Sequence, residues 1–251
     1  MEEFYIRVKA PFAGYRYFQA GNYRITMPTM PHSAAYGLVL NLAGIEMRTG
    51  KDNVATLIKK PTLDFQWDSQ ENIPVLKIAL GEICEPGKNS IYQQLHTYPV
   101  GNSSSHLAEG TKGAKYHILP TRREFLVNLD VIIGIKSEVA GFQERITDVL
   151  SGKYDSNRYG LPFAGDNNYL IDFIEIIEKP TETTFWYYPV QPEEIPETET
   201  FRLTIGIDRQ NNHLTTMPVF AKTVDKSPAP PESAWVWTPS VLGSKFEKET
   251  L

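Results

Sequence analysis

The chain is poor in the residues that build disulfide frameworks and membrane spans. Its 251 residues include a single cysteine, Cys84. One cysteine excludes an internal disulfide framework and is typical of a protein from a reducing cytoplasm. No apolar run approaches the length of a bilayer span, and the opening Met-Glu-Glu lacks the positive start of a signal peptide. These absences favour a cytoplasmic protein with no membrane segment.

The sequence also lacks the common catalytic and metal-binding motifs. It contains no HExxH, no GxSxG elbow and no GxxxxGK[ST] phosphate loop. We therefore expect no metal and no cofactor. A metal-independent ribonuclease needs only a base, an acid and a group that stabilises phosphate charge. These roles are available in one window of the chain, from His106, Lys112, Lys115, Tyr116 and His117. Such an enzyme stays open as an alternative.

A strong excess of positive charge is absent as well, since the net charge is −5. The charge is unevenly distributed, however. Residues 1–60 hold eight Lys and Arg against four Asp and Glu, whereas residues 166–251 hold seven against fourteen. A polyanion would therefore meet the N-terminal half of the protein.

Hydrophobic periodicity predicts an α+β fold with a ferredoxin-like or RRM-like body. Period-2 alternation predicts strands, and apolar residues at helical spacing predict two helices. The predicted strands cover 4–17, 54–65, 73–83, 124–135 and 168–178, and the predicted helices cover 33–43 and 142–150. With the strand at 54–65 taken together with that at 73–83, the order is βαββαβ. In this fold both helices lie on one face of an antiparallel sheet, and the other face is free to bind.

The remaining segments lack this regular periodicity. Residues 84–123 are rich in Gly, Ser and Asn and predict a long irregular insertion. We expect an RRM-like domain over 1–180 that contains this insertion. A β-hairpin appendage then covers 181–225, and a proline-rich linker and a tail ordered only by a partner cover 226–251.

Aromatic and basic side chains alternate in several places, and this pattern is typical of single-stranded RNA binding. Ser33 is also the predicted N-cap of the first helix, whose N-terminus would attract a phosphate beside His32. The candidate RNA-binding residues are Tyr15, Arg16, Tyr17, Arg24, His32, Ser33, Lys112, Lys115, Arg122, Arg123, Lys153, Arg158 and Tyr159. The alternative is that the rings are core residues of a protein-interaction module and the cations lie in solvated loops.

Two segments carry a resemblance to a known family. The first contains Arg16, then Met27-Pro28-Thr29-Met30-Pro31-His32-Ser33-Ala34-Ala35-Tyr36-Gly37-Leu38, then Leu42-Ala43-Gly44; the second is Tyr159-Gly160-Leu161-Pro162-Phe163-Ala164-Gly165-Asp166. They resemble the Cas five family of CRISPR-associated RAMP proteins. In the second segment alanine precedes the glycine where leucine is usual.

The resemblance implies a specific role in antiviral defence. Members of this family have an RRM-like body with a long thumb hairpin between the second and third core strands, where 84–123 falls here. They hold the 5′ handle of the CRISPR RNA at one end of the type I Cascade complex. They contact its backbone and large subunits, and reach target DNA only through the complex. One subtype also cuts precursor RNA without metal. The resemblance therefore implies a non-catalytic RNA-binding subunit, with the ribonuclease as the alternative.

Overall fold

A computed structural model of the protein describes residues 1–17, 23–49, 58–100, 116–153, 160–180, 184–209 and 211–240. These residues form an α+β fold dominated by sheet. The strands are β1 (Glu2–Ala13), β2 (Tyr23–Arg24), β3 (Lys60–Thr62), β4 (Asn72–Pro74), β5 (Leu76–Glu82), β6 (Gly87–Val100), β7 (Tyr116–Ser137), β8 (Phe173–Ile177), β9 (Phe185–Pro189), β10 (Thr200–Arg202), β11 (Val219–Lys222) and β12 (Val236–Thr238). The helices are α1 (His32–Leu42) and α2 (Phe142–Leu150).

The centre of the fold is a four-stranded antiparallel sheet in the order β5-β7-β1-β8. Along the chain its elements follow as β1, α1, β5, β7, α2 and β8, which confirms the predicted RRM-like body. Phe4, Ile6 and Val8 of β1 point to the face that carries the helices and are fully buried there. The short strands β3 and β4 pair in parallel in a separate small sheet. Of the strand predicted at 54–65, only Lys60–Thr62 is a strand, and 50–57 lie outside the described residues.

The two helices differ in how much of their surface is buried. Helix α1 is buried on several sides, because the sheet covers one side and the C-terminal strands approach its first turn. Helix α2 is amphipathic and buries only Phe142 and Ile146. Its N-terminus is capped from β1, where the Glu2 carboxylate accepts from the amides of Gly141 at 2.9 Å and Gln143 at 3.2 Å.

The segment predicted to be irregular, 84–123, is instead largely a long β-hairpin. Strands β6 and β7 pair antiparallel from Gly87 opposite Val127 to Val100 opposite Tyr116. The prediction of irregular structure was wrong. The hairpin is held by hydrogen bonds between the two backbones, and these cannot be recognised from a polar, glycine-containing composition. Strand β7 is 22 residues long and belongs to both the hairpin and the central sheet. Residues 101–115 lie outside the described residues.

The paired strands β1 and β7 exchange faces at Pro11 and Asn128. On one side of this point the paired residues Ala10 and Leu129 face the core. On the other side the pair Ala13 and Leu126 faces the core, although strict alternation would turn Ala13 and Leu126 outward. Asn128 has a φ of 59°, a conformation that asparagine tolerates better than most residues. The exchange places Phe12 outside the core.

The face of the sheet opposite the helices is covered in its centre, contrary to the prediction of a free binding face. A second apolar cluster there contains Tyr5, Ile132, Trp186 and Trp235. The rings of Trp186 and Trp235 lie 6.5 and 6.4 Å from that of Tyr5. A surface that is closed by two tryptophans cannot accept bases as an RRM sheet does.

The C-terminal strands continue the central sheet. Strand β9 pairs with β5 at 80–82, and β12 pairs with the same edge of β5 at 76–78. Within 181–225, the segment predicted as a β-hairpin appendage, β10 pairs antiparallel with β11. The tail was predicted to need a partner, but its first part, 235–240, is ordered by the protein itself. The division into domains at 180 and 225 stays a prediction. No helix within the described ranges is long and apolar enough to span a bilayer.

Gly206 provides a test of how strongly the tail is fixed. A Cβ at this position would overlap the backbone carbonyl of Ser240. We expect Gly206→Ala to lower the free energy of unfolding by about 1–3 kcal/mol, because the tail must move. Gly37→Ala is the control, since its Cβ meets nothing within 4 Å in the middle of α1. It should raise the same free energy by about 0.5–1 kcal/mol. Equal effects of the two changes in thermal or urea unfolding would contradict this account of the tail.

Candidate nucleic-acid interface

Three arginines meet at the base of the β6–β7 hairpin because β2 pairs in parallel with β7. Tyr23 lies opposite Arg122, and Arg24 lies opposite Arg123. Successive residues of a strand point to opposite faces, so Arg122 and Arg123 project to different sides of the hairpin. We call the group of Arg16, Tyr23, Arg24, Tyr92, Arg122 and Arg123 the hairpin-base cluster.

On one side of the hairpin, Arg122 lies between two tyrosine rings. Its guanidinium carbon is 5.2 Å from the ring centre of Tyr23 and 5.9 Å from that of Tyr92. Its Nε donates to Ser90 Oγ at 3.0 Å, which fixes the plane of the group. Tyr92 is 75% exposed and Tyr23 is 44% exposed. Flat rings and a planar cation are thus presented together to solvent, as in surfaces that stack bases.

Glu124 holds Tyr23 and the preceding loop in place. The Tyr23 hydroxyl donates to Glu124 Oε1, and the amide of Thr26 donates to Glu124 Oε2 at 3.2 Å. Thr26 in turn forms an isolated bridge with Arg16, next to the end of β1. One carboxylate of β7 therefore connects β2 to the segment that carries Arg16.

On the other side of the hairpin, two arginines share the carboxylate of Asp166. Arg16 Nη2 donates to Asp166 Oδ2 at 2.7 Å, and Arg123 Nη2 donates to the same oxygen. Arg123 also donates to Gln93 Oε1 at 2.8 Å. The side chain of Asp166 is 5% exposed, whereas that of Arg16 is 47% exposed. Since one negative charge serves two cations, part of the positive charge of Arg16 remains available at the surface.

The pKa of Asp166 reflects these contacts. Burial alone would raise this pKa, but hydrogen bonds from Asn168, Arg16 and Arg123 outweigh burial and lower it to about 2. Asp166 is therefore ionised at any ordinary pH. A charged group that is buried and fully hydrogen-bonded acts as a fixed anchor for the two arginines.

The structure brings together Arg16, Arg24, Arg122 and Arg123 among the residues predicted from sequence. Tyr17 is half-buried and packs against the main core. Lys153 is exposed just after α2, and no hydrogen bond or ion pair within the described ranges joins it to the hairpin-base cluster. Four predicted residues lie outside the described residues, namely Lys112, Lys115, Arg158 and Tyr159.

Two predicted RNA contacts, Tyr15 and His32, belong to the core. Tyr15 is 3% exposed and shares the core with Ala13 and Met27. His32 is fully buried and stacks on Phe220, with the ring centres 4.8 Å apart. Burial lowers the pKa of His32 to about 3, so its ring is neutral. Neither side chain can reach RNA, because the face exchange turns Tyr15 inward and the C-terminal strands cover His32.

Ser33 neither caps helix α1 nor offers its amide to a phosphate. The N-cap position is Pro31, and no side chain caps the helix. The amide of Ser33 donates to the carbonyl of Thr204 at 2.9 Å. The C-terminal segment thus satisfies the donor that a phosphate would have used. The sequence gives no sign of this contact, since the two residues are 171 positions apart along the chain.

Sequence reasoning missed Tyr23, Tyr92, Gln93 and Asp166. Tyr23 is next to the predicted Arg24 in the sequence, and this aromatic residue beside a basic one could have identified it as a candidate. Tyr92 and Gln93 stand in the segment predicted to be irregular, where no strand register could be assigned. Asp166 ends the second family-like segment but was given no role. Among the described residues, no three His, Cys, Asp or Glu side chains form a group that could hold a metal ion.

The fold is similar to that of a chain in a solved structure described as "CRISPR RNA-guided surveillance complex". The TM-score is 0.52 at 11% sequence identity, and the alignment covers 93% of this chain and 96% of that one. A second solved structure, described as "Crystal structure of Cas protein", gives a TM-score of 0.40 at 11% identity and covers 95% of this chain and 100% of the other. No protein-family model and no curated protein sequence matches the chain.

The role of Asp166 as an anchor predicts an acid-dependent stability. Its pKa falls from 3.8 to about 2 on folding, so ionisation stabilises the protein above about pH 4, and this stabilisation is lost as the pH falls to about 2. Asp166→Asn removes the charge that Arg16 and Arg123 share, and we expect it to lower the free energy of unfolding at neutral pH by about 1–2 kcal/mol. The loss is no larger because Arg16 is partly solvated, so solvent screens its interaction with Asp166.

The difference between wild type and Asp166→Asn should shrink between about pH 4 and pH 2, as measured by urea unfolding at several pH values. Asp64→Asn, which changes an exposed carboxylate, is the matched control. A difference that stays constant over this pH range would show that the carboxylate charge does not hold the two arginines.

Proposed function

We propose that the protein is a non-catalytic RNA-binding subunit of a CRISPR ribonucleoprotein, and that it holds the 5′ handle of the CRISPR RNA in a type I surveillance complex. The observation that carries this proposal is the exposed stack of Tyr23, Arg122 and Tyr92 at the hairpin base. Aromatic rings provide stacking surfaces for unpaired bases, and arginine provides both a stacking plane and a partner for phosphate.

The charge of the cluster supports an anionic ligand. Four arginines, Arg16, Arg24, Arg122 and Arg123, are balanced by two carboxylates, Asp166 and Glu124. This local excess is positive although the whole chain has a net charge of −5. A localised positive patch of this kind is what a single-stranded RNA end requires. We expect the affinity for RNA to fall steeply with salt, because bound phosphates release counterions.

Two further features support a CRISPR complex as the setting. The fold is similar to that of a chain from an RNA-guided surveillance complex over nearly the whole length of both chains. The family-like segments include Arg16 and Asp166, which pair in the folded protein. On this proposal the partners are the CRISPR RNA, the backbone subunit and the large subunit, with target DNA reached through the complex. The site of action would be the cytoplasm.

The absence of RNA cleavage is part of the proposal. The residues considered for a ribonuclease, His106, Lys112, Lys115, Tyr116 and His117, lie outside the part of the chain whose side chains the structure describes. At the hairpin base the charged groups are arginines and paired carboxylates, which position phosphates rather than exchange protons at neutral pH.

Arg122→Glu tests the proposal directly. It removes the planar cation between the two rings and repels phosphate, so RNA retained by the tagged full-length protein should fall by roughly tenfold or more. Arg209→Glu makes the same charge change at an exposed residue in the β10–β11 connection, at the far edge of the sheet. It should leave retention unchanged. The measurement is sequencing and quantification of the RNA that co-purifies with each variant from cells.

Equal retention by both variants would contradict RNA binding at the hairpin base. Retained RNA that lacks a CRISPR repeat sequence would contradict the CRISPR role. Incubation of the purified protein with repeat RNA in EDTA gives the third outcome. A single cut there would contradict the non-catalytic part of the proposal and favour a metal-independent endoribonuclease.

A further inference from the structure

A second aromatic surface lies on the other side of the hairpin base from Arg122. Phe12, Phe125 and Tyr169 form a ring triad there. The ring of Phe12 meets that of Phe125 edge-on at 5.5 Å, and Tyr169 lies 6.4 Å from Phe12 and 6.0 Å from Phe125. Phe12 is 44% exposed although it is a phenylalanine in a long central strand. Its exposure follows from the exchange of faces at Pro11 and Asn128.

The triad is held rigidly. Phe125 stands on β7 opposite Asn89 of β6. Two backbone hydrogen bonds close the loop of Tyr169. The Tyr169 amide donates to the carbonyl of Asp166 at 2.9 Å, and the Ala164 amide donates to the carbonyl of Tyr169 at 2.7 Å. The Tyr169 ring also lies so close to Gly14 that a Cβ there would be 2.9 Å from it. Rings fixed in this way lose little entropy when a planar ligand stacks on them.

The triad adjoins the arginines that share Asp166. Arg123 lies two residues before Phe125 and therefore on the same side of β7. The charges of Arg123, Asp166 and Arg16 all act on the Tyr169 hydroxyl. Arg16 is the most exposed of the three charged side chains, at 47%. An aromatic surface therefore stands beside a partly uncompensated positive charge, which suits a base joined to a phosphate better than an uncharged apolar partner.

We infer that the ring triad is a second nucleotide-binding surface, on which an unpaired RNA base stacks against Phe12 while Arg16 contacts its phosphate. This inference rests on the proposed RNA-binding function and extends it. Tyr23 and Tyr92 would stack bases on one side of the hairpin base, and the triad would stack a base on the other side. The RNA would then be held on both sides of β7, which restrains its direction as well as its position.

Photo-crosslinking distinguishes the two surfaces in the full-length protein. The probe is a single-stranded oligouridylate in which 5-iodouridine replaces uridine, because this base crosslinks to an aromatic ring on which it stacks. Crosslinked residues are identified by mass spectrometry. We expect crosslinks to Phe12 or Tyr169 in addition to Tyr23 or Tyr92. Crosslinks to Tyr23 or Tyr92 alone would overturn the ring triad and leave the proposed function intact. Crosslinks to none of the four would count against both.

Substitutions give an independent measurement with the same probe. Phe12→Leu keeps an apolar side chain but removes the ring, and it should weaken binding roughly tenfold, as the loss of one stacked base does. Leu161→Ala is the matched control, because Leu161 is also exposed and apolar but lies outside the triad. It should leave the affinity unchanged. Unchanged affinity in Phe12→Leu, with native thermal stability, would overturn the inference. Equal losses in both variants would show that the loss is not specific to the Phe12 ring and would also overturn the inference.

Discussion

Strand β7 organises the fold through its pairing with β1, β5, β6 and β2. Its C-terminal half pairs with β1 on one edge and β5 on the other, and these three strands contain the centre of the core. Its N-terminal half pairs with β6 and with the short β2. A single strand therefore fixes the body and the hairpin relative to each other. The pairing of β7 with β2 and β6 sets the register of every hairpin-base residue except Arg16, which bridges Thr26.

The C-terminal segment explains why the proposed binding surface does not lie on the open sheet face that an RRM uses. Trp186 and Trp235 cover the centre of the sheet face, and the carbonyl of Thr204 takes the amide at the start of α1. Two positions that commonly bind nucleic acid, an open sheet face and a helix N-terminus, are thus closed by the same part of the chain. What remains exposed is the hairpin base, with rings and arginines on both of its sides.

The parts of the site that could be predicted from sequence depend on local pattern. Alternation in β1 and the helical spacing of the two helices predict the RRM-like order. The clustering of Tyr and Arg near Arg16 and Arg24 predicts an RNA ligand, which stays a proposal. The pairing of Arg16 with Asp166 joins residues 150 positions apart, and no local pattern encodes it. Tyr92 could not be assigned, because its role depends on lying opposite Arg122 in a hairpin ladder.

Local sequence pattern predicts the α+β class, the order of the central elements, the position of the long insertion and the basic character of the N-terminal part. Which aromatic rings are exposed is set by the tertiary structure. Tyr15 and His32 are buried, whereas Phe12 and Tyr92 are exposed. The physical reason is that exposure depends on strand register, on the face exchange at Pro11 and Asn128, and on what the C-terminal strands cover. Each of these is set by contacts between residues far apart along the chain.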